Sequence, residues 1–244
     1  MAKTWLPLAL AVGLLLQPLP AAASQVDDTR VLYQALETEG TVAVDSSGYH
    51  NDGFLKGGLT RSDGAYLFHP ISFGHHRFDR ISTPFDPSLN PGRAPFSYGA
   101  RVRVSPTAEW RSHEMAVLRH GDATTPRGDF KLELRKTAAG LVKALCVIHD
   151  DDGRGAGYIA GHGALTTIAD GQWHTIACGR VDRDTVSLTV DDHTIERQTN
   201  GDLGAVNGED PLLIGCQYMS DGIHRQEQFV GRMDDIQITV NRRS

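Results

Sequence analysis

The sequence predicts an all-β protein, an antiparallel sandwich or barrel, on three observations. Short runs of strict two-residue alternation recur along the chain, and Gly, Asn, Asp and Pro punctuate it between them. Beyond residue 24 no stretch shows a sustained helical period with caps. Many short strands joined by frequent turns mark a sandwich or barrel rather than an α/β fold.

Each strand follows from its pattern. Phe96, Tyr98, Ala100, Val102 and Val104 share one face, with Ser97, Arg101 and Arg103 on the other. Phe130, Leu132 and Leu134 alternate with Lys131, Glu133 and Arg135. Asp170-Gly171 is a turn signal, after which Trp173–Arg180 has strand composition. The polar turn Asp182–Asp184 leads into a second alternating run, Thr185–Val190, so the pair reads as a β-hairpin. Ile236, Ile238 and Val240 alternate with Gln237 and Thr239 near the end. One wet face and one dry face are expected for each strand. Loops at 69–79, 105–113, 120–129, 150–163 and 198–210 are the places to look for binding residues.

The N-terminus has the form of a signal peptide. Lys3 supplies a positive charge, Leu6–Leu16 is an apolar region of 11 residues, and Ala21-Ala22-Ala23 offers cleavage before Ser24. Eleven residues are too few to span a bilayer, and no other segment is a membrane-span candidate. Residues 1–23 are therefore read as a cleaved signal and 24–244 as one secreted domain, a normal length for a single sandwich. The formal net charge is −6 and no long basic run exists, so nucleic acid is not an expected partner. An apolar content of 40% is ordinary and supports a sizeable core. Export favours pairing among Cys146, Cys178 and Cys216. Cys146 shares parity with Ile148 and Cys178 with Ile176, so both can face the core. The residues alone leave three pairings open.

Several phrases, in order, carry a family resemblance. Asp170-Gly171-Gln172-Trp173-His174 runs through a strand, a charged turn and a second strand ending Val190-Asp191-Asp192. Asp45-Ser46-Ser47-Gly48 with Asn51-Asp52-Gly53, Arg80–Pro84, Pro95-Phe96-Ser97, Pro211–Gly215 and Phe229–Ile236 complete the series. The chain resembles the laminin-G-like, concanavalin A-like jelly roll domains of secreted proteins over roughly residues 31–240. It departs from them at Asp192, where the phrase usually has Gly. The resemblance implies a two-sheet antiparallel jelly roll and a Cys146–Cys178 disulfide, with Cys216 left over as a buried thiol.

The resemblance also directs the search for sites. Asp45 and Asn51 at the end of a strand, with Asp234 before the last strand, form a candidate calcium set, since hard cations take carboxylate, amide and carbonyl oxygens. The competing reading is turn chemistry, in which Asp and Asn bind their own backbone. Asp150, Asp151 and Asp152 read as a solvated hairpin tip, or as a rim calcium site or saccharide contact. His69, His75 and His76 lack metal-site spacing and read as an exposed loop. His174 is expected to be hydrogen-bonded within the sheet, and Trp173 to be a packing residue. Sugar binding calls for an aromatic platform beside polar groups. Trp110, in the 105–113 loop, is read equally as platform or as packing residue. Tyr218 with Asp221 in a later loop, and Asp151 with Asp152, supply the other candidates, while Tyr49 and Tyr158 are further aromatics.

Catalysis finds little support. Glucanases of this fold resemble one another at E-x-D-x-x-E, which the chain lacks. Glu109 with Glu114, and the adjacent pairs Glu209-Asp210 and Asp234-Asp235, fall on opposite faces of any regular strand. No G-x-S-x-G and no Cys–His nucleophile motif occurs. The expected function is noncatalytic recognition of an extracellular carbohydrate, with protein binding as the alternative and a divergent glycoside hydrolase as the third reading. The expected cofactor is at most a structural calcium.

Overall fold

The computed structural model describes residues 30–34, 40–71, 78–110, 112–122, 127–152, 156–161, 167–217 and 227–242, and of 156–161 only the backbone. The proposed signal peptide lies outside these residues. Among the described residues sixteen strands follow one another: β1 Arg30–Gln34, β2 Val42–Ala43, β3 Gly53–Lys56, β4 Thr60–Ser62, β5 Ala65–Phe68, β6 Arg80–Thr83, β7 Phe96–Arg103 and β8 Glu114–His120. The rest are β9 Asp129–Lys136, β10 Val142–His149, β11 Ala156–Gly161, β12 Trp173–Arg180, β13 Thr185–Val190, β14 His193–Gln198, β15 Leu212–Ile214 and β16 Gly231–Val240.

They form two antiparallel sheets. The first runs β14-β13-β12-β7-β16-β5-β4, with β1 also pairing on β16, and the second runs β11-β10-β9-β8-β15-β6-β3-β2. The expected Trp173–Arg180 and Thr185–Val190 hairpin is present as β12–β13, with Ile176 opposite Val190 and Arg180 opposite Val186.

In the first sheet the alternation works as expected. Tyr98, Ala100 and Val102 of β7 are buried with Ile176, Val186, Leu188, Ile236 and Ile238, while Ser97 and Arg103 are exposed. Leu132, Leu134, Ala144 and Ile148 meet them from the second sheet in one hydrophobic core. Two ties cross this core. Cys146 of β10 is disulfide-bonded to Cys178 of β12, and Cys216 remains outside the bond, buried. The Tyr98 hydroxyl of β7 donates to the Val147 carbonyl of β10 at 2.8 Å. Complete burial pushes the Tyr98 pKa well up, so it stays a donor.

The second sheet departs from the one-wet-face expectation. Leu145 and Val147, whose parity points away from the core stripe, are at most 2% exposed, and Glu133 is 0% exposed. The outward face of β9–β10 is thus buried around these residues while Arg135 on it stays exposed, and Glu133 is not the solvated residue its alternation suggests.

Candidate functional site

The two ends of the sandwich can be told apart by register. On β7 and β12, Phe96 stands opposite Arg180 at one end and Arg103 opposite Trp173 at the other. On β9 and β10, Asp129 stands opposite His149 at the first end and Lys136 opposite Val142 at the second.

At the Phe96 end the loops lock together. Arg180 closes β12 and is 1% exposed, a burial that alternation does not announce for a guanidinium. Its Nη1 donates to the Gly204 carbonyl at 2.8 Å, and its Nη2 to the carbonyls of Gly92 and Ala94, both at 2.6 Å. Burial lowers its pKa to about 10, with Arg93 pushing the same way and Asp150 opposing. Asp150, 3% exposed, accepts from Gly204 N at 2.8 Å, and Asp151 accepts from Ala205 N at 3.0 Å. A Cβ at position 204 would come within 2.6 Å of Asp151 Oδ1, so this close approach requires glycine. The reading of 150–152 as a solvated tip therefore holds only for Asp152, which is exposed. Asp150 and Asp151 pin the 203–205 segment instead.

A cleft of about 630 Å³ opens beside this segment, lined by Arg93, Ala94, Pro95, Asp182, Arg183, Asp202 and Leu203. The β12–β13 turn and the 199–203 segment frame it and brace one another. Leu203 N donates to the Arg183 carbonyl and Thr199 N to the Asp184 carbonyl, both at 2.6 Å. Hydrogen bonds from Thr185 and from the Asp184 backbone hold the Asp182 carboxyl below its usual range, so it stays anionic. The cleft therefore offers two guanidinium groups as donors and two carboxylates as acceptors on a braced frame. Sequence reasoning missed it because its walls come from three separated segments. Only the 198–210 loop was marked in advance.

The residues read from sequence fall in different places. Trp110 lies in the segment joining the Arg103 end of β7 to Glu114, half-buried and packed against the core. Asp151 and Asp152 lie at the Phe96 end. The eight residues of β10 separate the two ends, a span of about 25 Å. Trp110 and Asp151 cannot share one sugar, which corrects that pairing, while the other partner read for Trp110, Asp221, is not among the described residues. Tyr218 and Asp221 lie outside the described residues, as do His75 and His76.

Asp45 is 5% exposed and four donors converge on it. Tyr33 N and Ser47 N reach Oδ1 at 2.8 and 3.0 Å, and Ser47 Oγ and Asn51 N reach Oδ2, both at 2.8 Å. This is the turn chemistry weighed against calcium, and a cation would have to displace these donors. Asn51 uses its side-chain amide on Ser88 Oγ at 2.9 Å. Asp234 lies on β16 opposite Arg101. His174 is bonded as expected, Nδ1 to Asp191 at 2.9 Å and Nε2 to Asp170 at 3.0 Å. Trp173 is half-buried on the outer face, not in the core, with the Arg101 guanidinium 4.7 Å above its ring. His69 bonds Asp79 at 2.9 Å.

The laminin G domain family model matches residues 147–241, from the end of β10 through β16. The chain is an antiparallel two-sheet jelly roll, and its residues 147–241 are similar to the laminin G domain family. No curated protein sequence matches it. Among solved structures, the binding domain of Paraclostridial Mosquitocidal Protein 1 is 16% identical with a TM-score of 0.60, covering 88% of this chain and 49% of that one. The binding domain of botulinum neurotoxin serotype D is 15% identical with a TM-score of 0.61, covering 89% and 49%. A serotype D ligand binding domain in complex with N-acetylneuraminic acid is 14% identical with a TM-score of 0.61, covering 89% and 48%. The chain spans about half the length of these structures. At such identity the likeness is one of fold. No helix among the described residues is long and apolar enough to cross a membrane.

Proposed function

We propose that this laminin-G-like binding module is secreted and noncatalytic, and that it recognises an extracellular carbohydrate in the cleft between Arg93 and Asp202. The observation that carries the reading is the alternation of donors and acceptors around that cleft, Arg93 and Arg183 against Asp182 and Asp202. Sugar hydroxyls both donate and accept, so they match such a lining, whereas an apolar ligand does not. The buried Arg180 network holds the frame in place before binding, which limits the entropy cost of association. A structural neighbour that carries N-acetylneuraminic acid supports the ligand class. The Cys146–Cys178 disulfide supports an oxidising compartment. Among the described residues the cleft lining contains no aromatic side chain, so affinity for one sugar unit is weak, roughly micromolar to millimolar.

A glycan array with calcium and with chelator tests this. Sugar hits that Arg93→Ala and Asp202→Ala each weaken by about tenfold or more, with melting temperatures unchanged, support the cleft. Hits indifferent to both substitutions place the site elsewhere, and a clean array overturns the carbohydrate reading. The second reading, protein binding, is favoured by β14, which ends the first sheet with most of its residues exposed. A clean array with a protein captured through β14 supports it. Secretion is checked by mass spectrometry, where a mature N-terminus at Ser24 is expected.

A further inference from the structure

Three carboxylates from three segments converge on the outward side of the second sheet, at the end away from the cleft. Glu114 opens β8, Glu133 lies within β9, and Glu227 lies alongside β8, with carboxylate oxygens all within 4.8 Å of one another. Strand register builds the group. Glu114 stands opposite Arg135 and Ala116 opposite Glu133. The Glu227 carbonyl accepts from Ala116 N at 2.9 Å. The small side chain of Ala116 leaves room for the neighbouring carboxylates.

This is not a solvated acidic surface. Glu133 is 0% exposed and Glu227 7%. An independent observation points to a missing partner: Glu133 Oε2 is buried and accepts no hydrogen bond among the described residues. Its other oxygen takes the Lys131 ammonium at 2.6 Å, and Arg135 pairs with Glu114.

We propose that Glu114, Glu133 and Glu227 form a binding site for one hard divalent cation of the calcium or manganese class. An all-carboxylate oxygen set selects such ions over zinc or copper, which call for nitrogen or sulfur donors. Lys131 is 17% exposed on a flexible stem, so its ammonium can turn to solvent when the cation takes over Glu133. A bound ion ties the segment at Glu227 to β8 and β9. This site is separate from the carbohydrate reading and does not depend on it.

Titration calorimetry of the chelator-stripped full chain with manganese and with calcium tests it. One equivalent is expected to bind with Kd of about 10⁻⁵–10⁻³ M. Glu133→Gln and Glu227→Gln should each weaken it by about tenfold or more, and Asp45→Asn should leave it unchanged. If Glu133→Gln loses its native circular dichroism, Glu114→Gln at the more exposed side of the group replaces it. No binding at about 10 mM metal overturns the site. So does full affinity in the folded Glu variants, or loss of binding in Asp45→Asn alone.

Discussion

The guanidinium of Arg180 donates to the carbonyl oxygen of Gly204, linking the end of β12 to the segment that frames the cleft. Gly204 N is in turn held by Asp150, and the same guanidinium reaches Gly92 and Ala94. One buried side chain thus joins three stretches of chain that are distant in sequence. Its pKa of about 10 keeps it charged at neutral pH despite burial.

Replacing Arg180 by Met keeps much of the stem but removes every donor. The carbonyls of Ala94 and Gly204 then lose the guanidinium they accept from, while that of Gly92 keeps only the Val206 N–H at 2.9 Å. A loss of about 3 kcal/mol in urea unfolding is expected, since buried acceptors left unmade are costly. Arg180→Lys should recover only part of it, because an ammonium cannot reproduce the planar fork. A Met variant within about 0.5 kcal/mol of the parent would show the network to be incidental.

The disulfide gives a second expectation. Cys146 and Cys178 join the two sheets across a sequence separation of 32 residues. Chain-entropy arithmetic for a loop of this size gives about 3–4 kcal/mol. The double substitution Cys146→Ala, Cys178→Ala should lower stability by that amount, and peptide mapping of unreduced protein should recover this pair. A bridge to Cys216 in the map would contradict the structure.

The disulfide was legible in the sequence because resemblance and local parity pointed to the same two cysteines. The hairpin at Trp173–Val190 was legible for a similar reason, since turn chemistry and alternation act within a few residues. The placement of Trp110 and Asp151 was not, because which loops share an end depends on strand order. Glu133 misled through the same local rule: alternation reports the face of a strand but not whether that face is covered. Arg180 was hidden because nothing near it in sequence announces three carbonyls at Gly92, Ala94 and Gly204. The cleft inherits this problem, being assembled from residues 93–95, 182–183 and 202–203.

Two histidines should tilt stability with pH in opposite senses. His120 is 0% exposed, and burial lowers its pKa from 6.5 to about 4. The unfolded chain takes up this proton near pH 6.5 and the folded protein only near pH 4, so acidification through that window favours unfolding by about 3 kcal/mol in total. For His174, burial alone would lower the pKa, but hydrogen bonds to Asp191 and Asp170 outweigh it and raise it. That stability is fully present below about pH 6.5 and is lost as pH rises through the raised folded value. Urea midpoints measured against pH should lose the acid slope in His120→Gln and the slope above pH 6.5 in His174→Gln. Slopes unchanged in both variants would assign the pH dependence to other groups.

Trp110 distinguishes a packing role from a binding role. Its ring is half-buried against the core at the Arg103 end, about 25 Å of strand away from the end that holds Asp151 and the cleft. Trp110→Ala should therefore destabilise the fold by about 2 kcal/mol, less than full burial would give, through lost packing. Ligand affinity at the cleft should not change while the protein remains folded. Asp202→Ala should do the reverse, weakening binding with little effect on melting. Sites this far apart share no partner, so the double variant should show the two effects added. Trp110→Ala with lost binding and an unchanged melting temperature would place the ligand at the Arg103 end and remove the cleft from consideration.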